Sequence, residues 1–240
     1  MQKSLLLAGT ILCVAQFASA ATLGTFSMGG IITVDANSTI SWTDENSPNN
    51  PNLFTLSLGT GIYAVEDGDN GIANLTNPPD VVGSLITPSQ LFITFLVSPG
   101  PEALDIDYIY AGTGGTAGCT QPANTSGTQT CTLATPVQSP FTFVNNPNGT
   151  STAYFQFSGT TADGIDPWTG TFSSNFGSPF QTILASFISN PSTATETNTY
   201  AGTLSVTVQS PVPEPGTTVL TGLGLIGVAL AFRKFGRAKA

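Results

Sequence analysis

Histidine is absent from the 240-residue chain, and lysine and arginine together number only five. Without histidine there is no imidazole base, no Ser/His/Asp or Cys/His nucleophile pair, and no His-ligated zinc or haem. The five cations, Lys3, Arg233, Lys234, Arg237 and Lys239, all lie at the two extreme ends. Between Ser4 and Phe232 there is no Lys or Arg, while all 14 acids fall in that stretch. The body therefore cannot form a salt bridge between side chains. Its carboxylates must be solvated, held by donors such as backbone N–H, or paired with external cations. A net charge of −9 and a pI near 4.1 argue against a nucleic acid as partner, because phosphate-backbone binding needs cations.

The two ends carry the clearest signals. Residues 1–20 read as a secretory signal peptide. Lys3 supplies the positive start, Leu5 through Phe17 the apolar run, and Ala18-Ser19-Ala20 a small-residue cleavage site before Ala21. Cleavage between Ala20 and Ala21 would discard Cys13 with the signal; Leu12 before it is not the small residue a lipoprotein signal needs. Export then runs through the Sec machinery.

Residues 210–240 contain three parts in series. Val212-Pro213-Glu214-Pro215 comes first, then an uncharged apolar run whose spanning part is about 217–232, then the basic Arg233 to Ala240. The run is slightly short of the ~20 residues of a typical spanning helix but within range. The basic end would stay in the cytoplasm and leave the body outside. This order resembles the PEP-CTERM sorting signal of Gram-negative bacteria. The same tail is also named an ice-binding protein C-terminal domain, a label for the tail and no evidence for ice binding. The resemblance covers about the last 30 residues. It implies an exosortase as partner, processing near Val212-Pro213-Glu214-Pro215, and the company of exopolysaccharide and biofilm matrix.

The body, residues 21–209, shows short β-type runs punctuated by Gly, Pro, Asn and Ser. Runs stand at Gly30–Val34, Leu53–Leu58, Leu91–Val97, Gly170–Ser173 and Thr203–Val208. Phe141–Val144 and Ala153–Ser158 flank Asn145-Asn146-Pro147-Asn148-Gly149, which predicts a hairpin. Over Ala103 to Ala111, strict alternation puts Leu104, Ile106, Tyr108 and Tyr110 on one face and Asp105, Asp107 and Ile109 on the other. Gln181–Ser189 is the best helix candidate, with a strand as the alternative there. The fold class expected is all-β: a single β-sandwich-like domain, preceded by a signal peptide and followed by a transmembrane sorting helix.

Few residues suggest chemistry. Cys119 and Cys131 are the thiols left after signal removal, and a disulfide is the natural reading in an oxidising compartment. Asp67 and Asp69, in Glu66-Asp67-Gly68-Asp69-Asn70-Gly71, fit the opening of a calcium loop. The full pattern fails, since Gly71 replaces a ligand and Pro78 stands where the last Glu should be. Calcium is thus the one cofactor candidate, against an ordinary solvated turn. Asp105 and Asp107, with Glu102, Asp163 or Asp166, could form the carboxylate pair of a glycoside hydrolase, with Trp168 stacking on a sugar. The alternative, favoured here, is that these acids lie on the wet face of a sheet. Trp42 and Trp168 would then be packing residues.

The expectation is a non-enzymatic exported protein, acidic and β-rich, at the cell envelope or in the extracellular matrix, with a structural or adhesive role. A carbohydrate- or calcium-binding adhesion module is the alternative, and a secreted carboxylate glycoside hydrolase stands behind it.

Overall fold

A computed structural model describes residues 22–35, 39–44, 47–66, 70–73, 82–96, 100–124, 128–134, 138–190 and 193–209. These belong to one compact unit, Ala21–Gln209. The expected signal and its Ala20–Ala21 junction, the sorting motif at 212–215 and the apolar run 217–232 lie outside the described residues, as do Asp67 and Asp69. Among the described residues no helix is long and apolar enough to cross a membrane.

Twelve strands dominate the unit: β1 Thr22–Asp35, β2 Ile40–Asp44, β3 Ser47–Pro51, β4 Leu53–Ser57, β5 Asn70–Ala73, β6 Leu85–Phe95, β7 Leu104–Ile109, β8 Thr130–Cys131, β9 Thr142–Asn145, β10 Ser151–Thr161, β11 Pro167–Phe176 and β12 Thr195–Thr207. Among the described residues the one α-helix, α1, spans Phe180–Ser189, where the helix candidate lay. The expected hairpin forms between β9 and β10, with Asn145 opposite Ser151.

All-β is the right class, but the two facing sheets of a sandwich are not what forms. The strands make one sheet, in the order β11-β12-β1-β4-β5-β6-β7-β10-β9-β8, and β11 also pairs with β10. That last ladder runs the length of both strands, from Ser151 opposite Phe176 to Thr160 opposite Pro167. Eight strands thereby pair in a circuit that returns to its start. The sheet wraps around its own apolar face, so one layer does what two sheets do in a sandwich. The long strands make this possible. β1 pairs with β12 along one edge and with β4 and then β2 along the other. β10 likewise serves β7 and β9 on one edge and β11 on the other.

Alternation sorts side chains between the enclosed and the wet face. In β1, Phe26, Met28, Ile32 and Val34 are buried; in β10, Phe155 and Phe157; in β12, Tyr200, Leu204 and Val206. Trp42 of β2 sits at the centre of this interior. Its ring lies 4.7 Å from that of Tyr200, 5.6 Å from Phe172, 6.0 Å from Phe155, 6.1 Å from Phe92 and 6.5 Å from Phe157. Its indole N–H is buried without a hydrogen-bond partner among the described residues. The hydroxyl of Tyr63 is in the same position, and burial, then the Asp166 and Glu102 carboxylates, push that phenol's pKa up.

Helix α1 buries Phe180, Ile183, Leu184 and Phe187, the i, i+3, i+4, i+7 set of one face. Phe180 packs its ring 6.2 Å from Phe143. No side chain at Pro179 caps the helix. Instead the buried Asn145 accepts the Phe180 N–H at 3.0 Å and donates to Gln181 and Gln129, so an amide from β9 satisfies one of the orphan donors of the first turn.

Trp42→Ala should cost about 3–5 kcal/mol in a denaturant titration, the range for emptying a large aromatic site. Trp42→Phe should cost much less, because it removes an unpartnered N–H along with part of the ring. A loss under about 1 kcal/mol for Trp42→Ala would mean that Trp42 does not hold the interior.

Candidate functional site

The outer face of β7, β10 and β11 carries the most distinctive surface among the described residues. Side chains two apart in β10 point outward: Tyr154, Gln156, Ser158 and Thr160. β11 sets Thr171 opposite Gln156 and Thr169 opposite Ser158. On the other edge Tyr108 stands opposite Ser158, and the Tyr110 N–H donates to the Gln156 carbonyl at 3.1 Å. Two adjoining hollows result. One, about 500 Å³, lies between Tyr110, Thr142, Tyr154, Gln156 and Thr171. The other, about 450 Å³, lies between Leu85, Asp107, Tyr108, Ser158 and Thr169. They share Tyr110. Tyr154 is 50% exposed and Tyr110 38%, and the rings of Tyr108 and Tyr110 meet edge to face at 4.8 Å.

A β-bulge makes this surface. Ile106 faces Gly159 and Tyr108 faces Ser158, so Asp107 is the extra residue between them. From there alternation restarts out of phase: Leu104 and Ile106 are buried, but the next buried residue is Ile109, and Tyr108 is turned partly outward. Strict alternation had placed Tyr108 and Tyr110 with the apolar set and Ile109 with the acids; the bulge reverses all three. Gly159 permits the close approach. A Cβ there would lie 1.8 Å from the Asp105 carbonyl oxygen. Burial pushes the pKa of Asp107 up, Thr160 pulls against this through a hydrogen bond, and the Asp105 carboxylate adds to it.

The disulfide braces one wall. Cys119 and Cys131 are bridged, with Cα atoms 4.9 Å apart, as the sequence led us to expect. Cys131 is fully buried in β8, and Cys119 packs at the edge of the core from a 3₁₀ turn, Ala117–Thr120. Gly118 lets that turn press on β8, since a Cβ there would lie 2.0 Å from the Thr130 carbonyl oxygen. The segment between β7 and this turn is pinned by Thr113 N–H to Thr142 Oγ1 at 2.8 Å and Gly114 N–H to Thr132 Oγ1 at 2.9 Å. Residues Tyr110 to Thr113 of that segment form one side of the larger hollow.

Trp168 borders the smaller hollow but offers no open ring face there as a sugar platform. It is buried and stacks on Phe92, with ring centroids 5.6 Å apart and planes 10° apart. Its Nε1–H donates to the Asp105 carbonyl at 2.8 Å and the Thr160 carbonyl at 3.1 Å. Two of the other candidate acids hold backbone, Asp163 within its own turn and Asp166 at the end of the body. Asp163 Oδ1 accepts from Thr161 Oγ1 at 2.6 Å and from the Ile165 N–H at 3.0 Å, and these two bonds hold its pKa down. Asp166 Oδ1 accepts the Gln209 N–H at 3.1 Å. Among the described residues no three His, Cys, Asp or Glu side chains gather as a metal site would need. Tyr154 and Gln156 were missed as surface features by the sequence reading. The signal was present: in Ala153-Tyr154-Phe155-Gln156-Phe157-Ser158 the Phe residues alternate with Tyr, Gln and Ser, so the non-Phe set had to face out.

Two predictions concern this region. Ionised Asp107 burdens the folded state, because its pKa there is raised; the burden exists above the folded pKa and vanishes as pH falls to the unfolded value of about 3.9. Asp107→Asn should therefore raise the melting temperature at pH 7, by an amount that shrinks toward pH 3.5. A gain that is the same at both pH values would assign the effect to something other than ionisation. Separately, Cys119→Ala/Cys131→Ala should lose on the order of 3 kcal/mol, from restored loop entropy in the unfolded chain, measured by denaturant unfolding without reductant. No loss would leave the bridge without a structural role.

Residues 211–234 match the family model of the PEP-CTERM protein-sorting motif. No curated protein and no solved structure matches the chain. The match falls on the segment whose Pro-Glu-Pro box, apolar run and basic end were set out above, and the body remains unassigned to a family. The chain thus carries a PEP-CTERM protein-sorting motif, which implies an exported, envelope-sorted protein and an exosortase as its processing partner.

Proposed function

We propose that this protein is a non-enzymatic component of the cell envelope or extracellular matrix. Its signal peptide sends it through the Sec machinery, its tail halts it in the membrane, and exosortase then cuts near Val212-Pro213-Glu214-Pro215. The body does the work outside, in a structural or adhesive role, without a cofactor. The observation that carries this reading is the sorting motif at residues 211–234, at the far end of a chain whose first 20 residues have the pattern of a signal.

The body supports the non-enzymatic part. It has no histidine to activate a nucleophile. Asp163 and Asp166, which a hydrolase reading would recruit, are engaged in holding backbone. The surface suits an exported scaffold: hydroxyls and amides replace charge over much of it, and they stay soluble without depending on ionic strength.

Intact mass of the protein recovered from its host's envelope and medium tests the reading. A species that starts at Ala21 and ends near Pro213 is expected. A species that starts at Ala21 and still ends at Ala240 would remove the exosortase step and leave a plain anchor.

A further inference from the structure

We propose that the tyrosine-lined track on β7, β10 and β11 binds a neutral polysaccharide, with sugar rings lying on Tyr110 and Tyr154. The proposal rests on the preceding reading only for the place where ligand is met, the outer side of the membrane.

The five tyrosines of the chain divide sharply. Tyr63 and Tyr200 are buried in the interior. The other three, Tyr108, Tyr110 and Tyr154, line the two hollows. The exposed ones keep large rings in water at an energetic cost, since each ring could stabilise the fold by going inside. Around them stand hydrogen-bonding groups without charge: Gln156, Ser158, Thr142, Thr169 and Thr171. A pyranose has a face of C–H groups and an edge of hydroxyls. Flat rings match the face, and amides and hydroxyls match the edge. A few convergent polar groups in a concave, partly aromatic surface are what orient a bound small molecule.

Charge narrows the ligand. The two hollows are lined by one carboxylate, Asp107, with Asp105 near enough to act on it, and by no cation, of which none exists anywhere between Ser4 and Phe232. Phosphate, sulfate and uronate polymers would meet repulsion with nothing to offset it. Asp107 can accept hydrogen bonds from sugar hydroxyls at the far end of the track. Length narrows it further. From Tyr154 to Thr160 a strand advances about 20 Å, which suits several linked sugar units better than one.

The test is affinity electrophoresis of the full chain, solubilised in a sugar-free detergent, through gels that contain one polysaccharide each. The neutral arms are a soluble β-1,4-glucan, a β-1,3-glucan, an α-1,6-glucan and a galactomannan; the anionic arms are alginate and heparin. Retardation by at least one neutral polymer and by neither anionic one is expected. Tyr110→Ala and Tyr154→Ala should each weaken that retardation at least tenfold, while Tyr110→Phe and Tyr154→Phe keep most of it. All four should melt within a few degrees of the parent, because these side chains are exposed. Retardation by no neutral polymer, or retardation that the alanine variants leave intact, would overturn the proposal. So would an alanine variant that changes only the oligomeric state in sedimentation, since the track would then be a contact between copies. The assay uses purified chain, so its failure leaves the mass measurement of export untouched, and the reverse also holds.

Discussion

The body has to fold without a single pair of opposite charges. Thirteen of the 14 acids lie in residues 21–209, Glu214 being the other, and no Lys, Arg or His accompanies them. Cohesion must come from apolar burial and from neutral hydrogen bonds, and both are visible. Trp42 gathers five aromatic rings around itself at the centre of the rolled sheet. Neutral polar side chains meet one another: the Thr33 and Thr197 hydroxyls lie 2.9 Å apart across β1 and β12, Thr152 donates to Asn175 at 2.8 Å across β10 and β11, and the Thr25 and Thr60 hydroxyls lie 2.8 Å apart. Where a described carboxylate has a partner it is an N–H or a hydroxyl, as when Asp35 accepts the Thr39 N–H at 2.9 Å. Acid denatures many proteins by protonating paired carboxylates. Here protonation breaks no ion pair and relieves repulsion among like charges.

The closed circuit of strands follows from the same constraint. An exposed sheet edge is usually guarded by lysine, which this body lacks. Pairing β10 with β11 gives each of those eight strands a neighbour on both sides. What remains at the margins is short: β8 has two residues and β3 has five. The edge problem is thus met by topology rather than by charge.

Local signals in the sequence were legible because they depend on neighbours in the chain. The hairpin around Asn145–Gly149, the helix at 181–189 and the Cys119–Cys131 bridge each need only a short segment to be recognised. The circuit was not legible, because closure depends on β11 meeting β10 and β12 at once, and register between distant strands leaves no mark in a period of two. The bulge at Asp107 was hidden for a sharper reason. Its cause is a missing Cβ at Gly159, on a strand far along the chain, which lets the Asp105 carbonyl and the Trp168 indole come close. Read alone, Leu104 to Tyr110 alternates cleanly, and the wrong face follows. That single added residue turns Tyr108 from core to surface and so decides whether the track exists. The same packing explains why Trp168 was a poor guide to sugar binding: its N–H is used to fasten β7 to β10.

Export and the surface track are linked through the bridge. The wall from Tyr110 to Thr113 is continuous with the turn that Cys119 fastens to β8. Disulfides form and persist in oxidising compartments, not in the reducing cytosol. Without the bridge the wall would keep its glycine contacts and hydrogen bonds but lose the covalent tie. Export therefore does more than choose an address. By taking the chain out of the cytosol, it places the body where the bond that braces its most distinctive surface can form. An anionic body in that setting repels other anionic polymers and other copies of itself. Attraction can then arise only through contacts that carry no charge, and the exposed tyrosines with their amide and hydroxyl neighbours are where such contacts are concentrated.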